Sequence, residues 1–272
     1  MSADRTAAQS SFIRSSWAAF LGGALIGILG GLIGLGGAEF RLPLLISVFG
    51  FVALEAIILN KATSLIVVAS ALVFRNQAVP VASILAHFSI IGTLLAGSLA
   101  GAWFGADLAT RLKSQRLYQL IAVLLIGIAV VLLTAHDVAT SGEPWLTGTA
   151  QTVVGIVFGF LIGVVAAFLG VAGGELLIPT LVLLFGVDIK LAGSLSLAIS
   201  LPTMIVGFAR YSRDQSFAVL RQHPRFLLAI AAGSIAGTFV GGRLLSIVPA
   251  GMLMPILAVI LVLSAIKLWR HR

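Results

Sequence analysis

The chain is written twice. Residues 34–50 read GLGGAEFRLPLLISVFG, and residues 170–186 read GVAGGELLIPTLVLLFG. The offset, 170 − 34 = 136, is half of the 272-residue length. Seven of the 17 positions are identical: Gly34/Gly170, Gly37/Gly173, Glu39/Glu175, Pro43/Pro179, Leu45/Leu181, Phe49/Phe185 and Gly50/Gly186. Without a gap, the same offset aligns Gly97-Ser98 with Gly233-Ser234, Gly101 with Gly237 and Gly105 with Gly241.

What surrounds such a chain is decided by its charge content. Only 10% of residues are charged and 60% are hydrophobic. A soluble domain carries about 25% charged residues, so the solvent of this chain is largely lipid. The net charge of +8 does not indicate nucleic acid, because the basic residues are scattered over short loops. Cysteine is absent, which removes disulfides, thiolate catalysis and Cys-based metal sites. The first apolar run has no evident cleavage site after it and has a counterpart in the second half, so it is expected to remain as structure. Duplication in a very apolar chain, with a Gly-rich break and a carboxylate in each copy, is the pattern of membrane transporters.

Five apolar segments occur in each half. They lie near 17–34, 38–50, 53–74, 79–104 and 117–134, and near 150–170, 174–187, 189–209, 225–246 and 250–268. Most reach about 18–25 residues, enough to cross a hydrocarbon core of ~30 Å. The second segment of each half is short, a half-helix, a tilted helix or a re-entrant piece. The expected fold is therefore an all-α polytopic integral membrane protein of 8–10 crossings. Its parts are an N-terminal tail (1–16), a first repeat (17–134), a linker (135–149) and a second repeat (150–272).

An odd number of crossings per repeat inverts the second copy. With ten crossings and a cytoplasmic N-terminus, the 105–117 loop is inside with Arg111, Lys113 and Arg116. The 135–150 loop is outside without Lys or Arg. The 210–225 loop is inside with Arg210, Arg213, Arg221 and Arg225, and the C-terminus is inside with Lys267, Arg270 and Arg272. Cytoplasmic loops carry excess Lys and Arg, so the inverted arrangement, with both termini cytoplasmic, is preferred over eight crossings.

Glycine recurs every four residues at Gly23, Gly27 and Gly31 and again at Gly155, Gly159 and Gly163, and likewise at Gly97, Gly101 and Gly105 and at Gly233, Gly237 and Gly241. This spacing serves tight helix packing, and these glycines receive no substrate role. The Gly-rich breaks at 34–39 and 170–175 differ. Unwound backbone is tolerated in a membrane only beside protein or a water-filled cavity. The helix that starts after each break turns free N–H groups and a positive dipole end toward that cavity, an anion site. Pro43 and Pro179 are expected in the first turns of these helices. The bland alternative is a tight turn between two helices.

Candidate substrate-binding residues follow from this geometry: Gly36, Gly37, Gly173 and Gly174 in the breaks, and Glu39, Arg41 and Glu175 just after them. From the third segments come Asn60, Lys61, Thr63 and Ser64, then Ser194 and Ser196. An ionisable group at membrane depth is by default functional, although both glutamates could simply cap their helices. Arg41 stands two residues from Glu39 and could pair with it. Glu175 has no local cation, so its neutral form is easier to reach and it is the better proton carrier, with Glu39 second. Arg41 and Lys61 face Leu177 and Leu197 across the repeat, an asymmetry suited to one asymmetric anion. The Arg fork suits sulfonate, sulfite or carboxylate. Small hydroxyls can bind anion oxygens or merely bond the preceding turn. His87 and His223 align at the same offset and read as interfacial. No catalytic or metal-binding motif is present, and no cofactor is expected.

At these residues the chain resembles the sulfite exporter TauE/SafE family, also called the 4-toluene sulfonate uptake permease family. The resemblance rests on the breaks running from Gly34 to Pro43 and from Gly170 to Pro179. It rests also on Asn60-Lys61-Ala62-Thr63-Ser64 and Gly193-Ser194-Leu195-Ser196, and it extends from about Ala18 to Leu268. It implies movement of small organosulfur or sulfur oxyanions, or related organic anions, across a bacterial inner membrane. The expectation is a secondary transporter working by alternating access, with the proton as a candidate coupling ion. The alternatives are a passive anion channel and a non-transporting membrane assembly subunit.

Overall fold

A computed structural model of the chain describes residues 16–33, 37–75, 81–134, 144–244 and 250–270. Within them the first half contains α1 (Ser16–Ile33), α2 (Ala38–Ser47), α3 (Ala53–Arg75), α4 (Val81–Ala86), α5 (Phe88–Arg111) and α6 (Ser114–Thr134). The second half contains α7 (Gly148–Leu169), α8 (Gly174–Phe185), α9 (Ile189–Tyr211), α10 (Val219–Gln222), α11 (Pro224–Leu244) and α12 (Ala250–Trp269). A 3-10 turn over Gln215–Ala218 precedes α10. Adding 136 to the first residue of α2, α3, α5 and α6 gives 174, 189, 224 and 250, the first residues of α8, α9, α11 and α12. No strand occurs among the described residues. Six of their helices hold a stretch long and apolar enough to cross a membrane, and the outward faces carry Leu21, Leu25, Phe158, Leu161, Phe239 and Leu263. The chain is a multi-pass membrane protein.

Three expectations about the elements need correction. The fourth segment of the first half is not one helix: α4 stops at His87 and the long α5 starts afresh behind it, whereas in the second half α11 is one helix and the short α10 falls within the expected 210–225 loop. Proline at 224, the first residue of α11, lacks the N–H that would continue α10, and is well placed at a helix start. The 105–117 segment is not a loop, since α5 runs to Arg111 and α6 begins at Ser114. Pro43 and Pro179 lie in the second turn of their helices, not the first. There each removes the N–H that the carbonyl four residues back, Glu39 or Glu175, would otherwise accept. Residues 1–15 of the N-terminal tail, residues 135–143 of the linker and the last two residues lie outside the described residues.

The glycine series explain how the halves are held. A Cβ on Gly97 or Gly101 would run into the carbonyl of Ile156 or Phe160, and one on Gly105 would press on Val164, so α5 and α7 pack backbone to backbone. The counterparts Gly233, Gly237 and Gly241 meet the carbonyls of Phe20, Ala24 and Ile28, joining α11 to α1. Each seam thus joins the first long helix of one half to the fourth segment of the other.

Helix directions can be read from these contacts. Along each seam both residue numbers rise together, so α5 runs parallel to α7, and α1 to α11. Helix α9 also parallels α5: Ser98 meets Thr203 at 2.7 Å, and Asp107 accepts from Arg210 at 2.9 Å further along both. Helix α3 parallels α11: Phe51, just before α3, meets Phe226 at the start of α11 edge to face, and Arg41 later bridges Ser64 and Ser234. Consequently α1 and α3 point the same way, as do α7 and α9. The short α2 and α8, with the breaks beside them, must carry the chain back between them.

Candidate functional site

Gly37 and Gly173 precede α2 and α8 with φ of 69° and 80°. This left-handed region is open to glycine at little cost, and a Cβ on Gly37 would also press on the Ile26 carbonyl at 2.6 Å. Gly36 lies outside the described residues. Gly174 opens α8 and is buried. Glu39 and Glu175 are the second residues of their helices. Neither is the N-cap, a place taken by glycine with no side-chain capping bond, so the capping alternative does not hold. Both side chains are buried, and the two carboxyl groups are close enough to interact. Among the described residues, both carboxylate oxygens of Glu39 and Oε2 of Glu175 have no hydrogen-bond partner.

Arg41 does not pair with Glu39. Residues two apart on a helix do not face each other, and the guanidinium turns toward α3 and α11 instead. Its Nε donates to Asn60 Oδ1 at 2.7 Å. Nη2 donates to Ser64 Oγ at 2.5 Å and to the Asn60 carbonyl at 3.4 Å, and Nη1 donates to Ser234 Oγ at 3.1 Å. Arg41 is wholly buried, yet every acceptor is a neutral oxygen. The ion pairs among the described residues are those of Asp107 with Arg111 and Arg210, at the far ends of α5 and α9.

Asn60 joins the two breaks. Its amide donates to the carbonyl of Ala38, beside the first, at 2.9 Å, and to that of Leu169, beside the second, at 2.8 Å. Both N–H donors are thereby committed in this conformation. Lys61, also fully buried, donates to the Ala166 carbonyl at 2.9 Å, and Tyr211 donates to that of Ala167 at 2.9 Å. The end of α7 is thus held by side chains of α3 and α9, and the Lys61 charge suits a helix C-terminus. Tyr211 went unnoticed in the sequence because it closes an apolar segment with no motif around it.

The family-model comparison matches residues 19–268 to the family described as sulfite exporter TauE/SafE. The chain belongs to this family. Its members are membrane transporters, not enzymes. Searches among curated proteins and among solved structures return no match.

Within this TauE/SafE chain, the hydroxyls divide into two kinds. Thr63 donates to the Leu59 carbonyl at 2.8 Å, and Ser196 to that of Gly193 at 2.9 Å, the local bonds expected of such residues in helices. Ser200 reaches the second break at the Ala172 carbonyl, at 2.7 Å. Ser194 Oγ is buried without a partner among the described residues. Ser64 and Ser234 accept from Arg41. Ser234 was visible in the sequence as the partner of Ser98, but the glycine beside it drew the reading toward packing. The structure therefore brings Glu39, Arg41, Asn60, Lys61, Ser64 and Glu175 to the junction of the two breaks, while Thr63 and Ser196 bond within their own helices.

Proposed function

We propose that this chain is a secondary transporter of small anions, organosulfonates or sulfite and related sulfur oxyanions, working by alternating access. One observation carries this reading: two cations, Arg41 and Lys61, are fully buried where the breaks meet, and among the described residues neither forms an ion pair. A buried charge without a partner is costly, and an anion entering between the halves would offset that cost. The inverted repeat is part of the proposal and is supported by the helix directions. If α2 and α8 return the chain, each half crosses five times and the second enters from the opposite side. Both termini then lie in the cytoplasm of a cell inner membrane, and the 135–149 linker lies outside.

Glu39 and Glu175 supply the coupling step of this reading. Two neighbouring carboxylates repel when both are charged, and an anion arriving beside them adds to the repulsion. One proton taken up by the pair relieves this and ties proton movement to substrate movement.

Proteoliposomes test the proposal. Saturable uptake of a sulfonate or sulfite, with counterflow from the opposite side, is the expected result. Flux that rises linearly with concentration would favour a passive channel. No flux with any anion would favour an assembly subunit. Single-cysteine labelling after residues 113, 140, 215 and 272 tests the topology, and labelling of position 140 from the cytoplasm would sink it.

A further inference from the structure

Ser98 and Ser234 occupy equivalent places in the two halves, both fully buried, yet their protons are differently placed. Thr203 donates its single hydroxyl proton to the Ile199 carbonyl at 2.8 Å. In the 2.7 Å contact between Ser98 and Thr203, Ser98 must therefore be the donor, and its proton is committed. Thr203 has Val67 as its counterpart in the first half, so Ser234 finds no such acceptor. What Ser234 meets instead is Arg41, a side chain with donors only. Ser234 must accept, and its own O–H is left over. The same holds for Ser64, which accepts from Nη2. Neither hydroxyl donates to any described residue. Of the two Nη1 N–H groups of Arg41, one is directed at Ser234 and the other has no described acceptor.

We propose that Ser234 is a substrate-binding residue: with Ser64 and the free Nη1 N–H of Arg41 it sets three donors around one guanidinium, a seat for a three-oxygen head in preference to a two-oxygen carboxylate. The proposal rests on the anion-transport reading above and adds the residue that selects the head group. A pyramidal –SO3 group offers one oxygen to each donor. A planar carboxylate has two oxygens for three donors set in three directions; held by the Nη1 N–H and Ser64, it meets Ser234 only with poor geometry, and that loss is the source of discrimination. Ser98, its proton already committed, builds no such seat in the other half, where Leu177 replaces the guanidinium.

Binding of methanesulfonate and of acetate to the purified full-length chain tests this. Wild type should prefer methanesulfonate. Ser234→Ala should weaken methanesulfonate binding about ten-fold or more, the effect of losing one donor to a charged group, and leave acetate nearly unchanged. Ser98→Ala should change neither. Ser234→Cys, close in size but a far weaker donor, should show the same loss and serves if the alanine variant does not fold. An unchanged ratio of the two affinities in both Ser234 variants overturns the assignment while leaving anion transport intact. Wild type that binds neither anion overturns the transport reading as well.

Discussion

The two halves share helix boundaries and glycine packing but not charge. Around the first break stand Arg41, Asn60 and Lys61; at the equivalent places of the second stand Leu177, Ser196 and Leu197. Leu177 and Leu195 belong to an apolar cluster with Leu181 and Ile199, whereas Arg41 gathers the oxygens of Asn60, Ser64 and Ser234. The scaffold is thus held by what the halves have in common, while the buried cations at the junction of the breaks come from only one of them. A symmetric frame needs matched close approaches, while recognition of a single small anion needs charge on one side.

The comparison breaks most severely at the scaffold. Gly101→Ala and Gly237→Ala each place a methyl group against a backbone carbonyl in equivalent seams. Each should destabilise by about 3 kcal/mol or more, because neither backbone can yield. Both should lose monodisperse protein in detergent to a similar degree. Gly127→Ala, with nothing within 4 Å of the added carbon, should melt at or above the wild-type temperature. Unequal outcomes for the two seam variants would show that the seams are not equivalent.

Charge comes next. Arg41→Leu gives the first half the residue of the second, and should reduce anion binding more than about 100-fold while the purified protein remains folded. Near-native binding in a titration would leave Arg41 only the role of pinning α2 to α3 and α11. Lys61→Leu copies Leu197 and should cost about ten-fold in affinity, since the ammonium acts as a point charge. It should also lower the melting temperature, because the end of α7 loses a donor. An affinity that does not move, with a lowered melting temperature, would reduce Lys61 to a helix cap.

The smallest effect on binding belongs to the carboxylates. Glu175→Gln imitates the neutral acid and should preserve binding and exchange in proteoliposomes, yet abolish the dependence of net transport on a pH gradient. Glu39→Gln should have the weaker effect of the two. Wild-type pH dependence in the Glu175 variant would place the proton elsewhere.

Much of this was legible in the sequence because lipid forces polar residues inward and duplication repeats every signal. The long apolar runs, both breaks and the glycine seams follow from composition and spacing alone. What the sequence could not reveal depended on neighbours far away in the chain. The pairing of Arg41 with Glu39 was suggested by their nearness along the chain, but helical geometry turns them apart. Ser234 lies 193 residues from Arg41, and only the folded α1–α11 seam brings them together. The interruption at His87 falls inside a run whose apolar character continues across it.

The glycine seams also set an order of assembly. Gly97 and Ile156 are 156 − 97 = 59 residues apart, whereas Phe20 and Gly233 are 233 − 20 = 213 apart. As the chain is synthesised, α5 and α7 can join soon after α7 emerges. Helix α1 must wait in lipid, its glycine face unmatched, until the last quarter of the protein arrives. Closing that longer loop carries the greater entropic cost, so the second seam is the late event of biogenesis. A ribosome that stalls before residue 224 would release a chain whose first helix lacks the backbone that its glycines pack against.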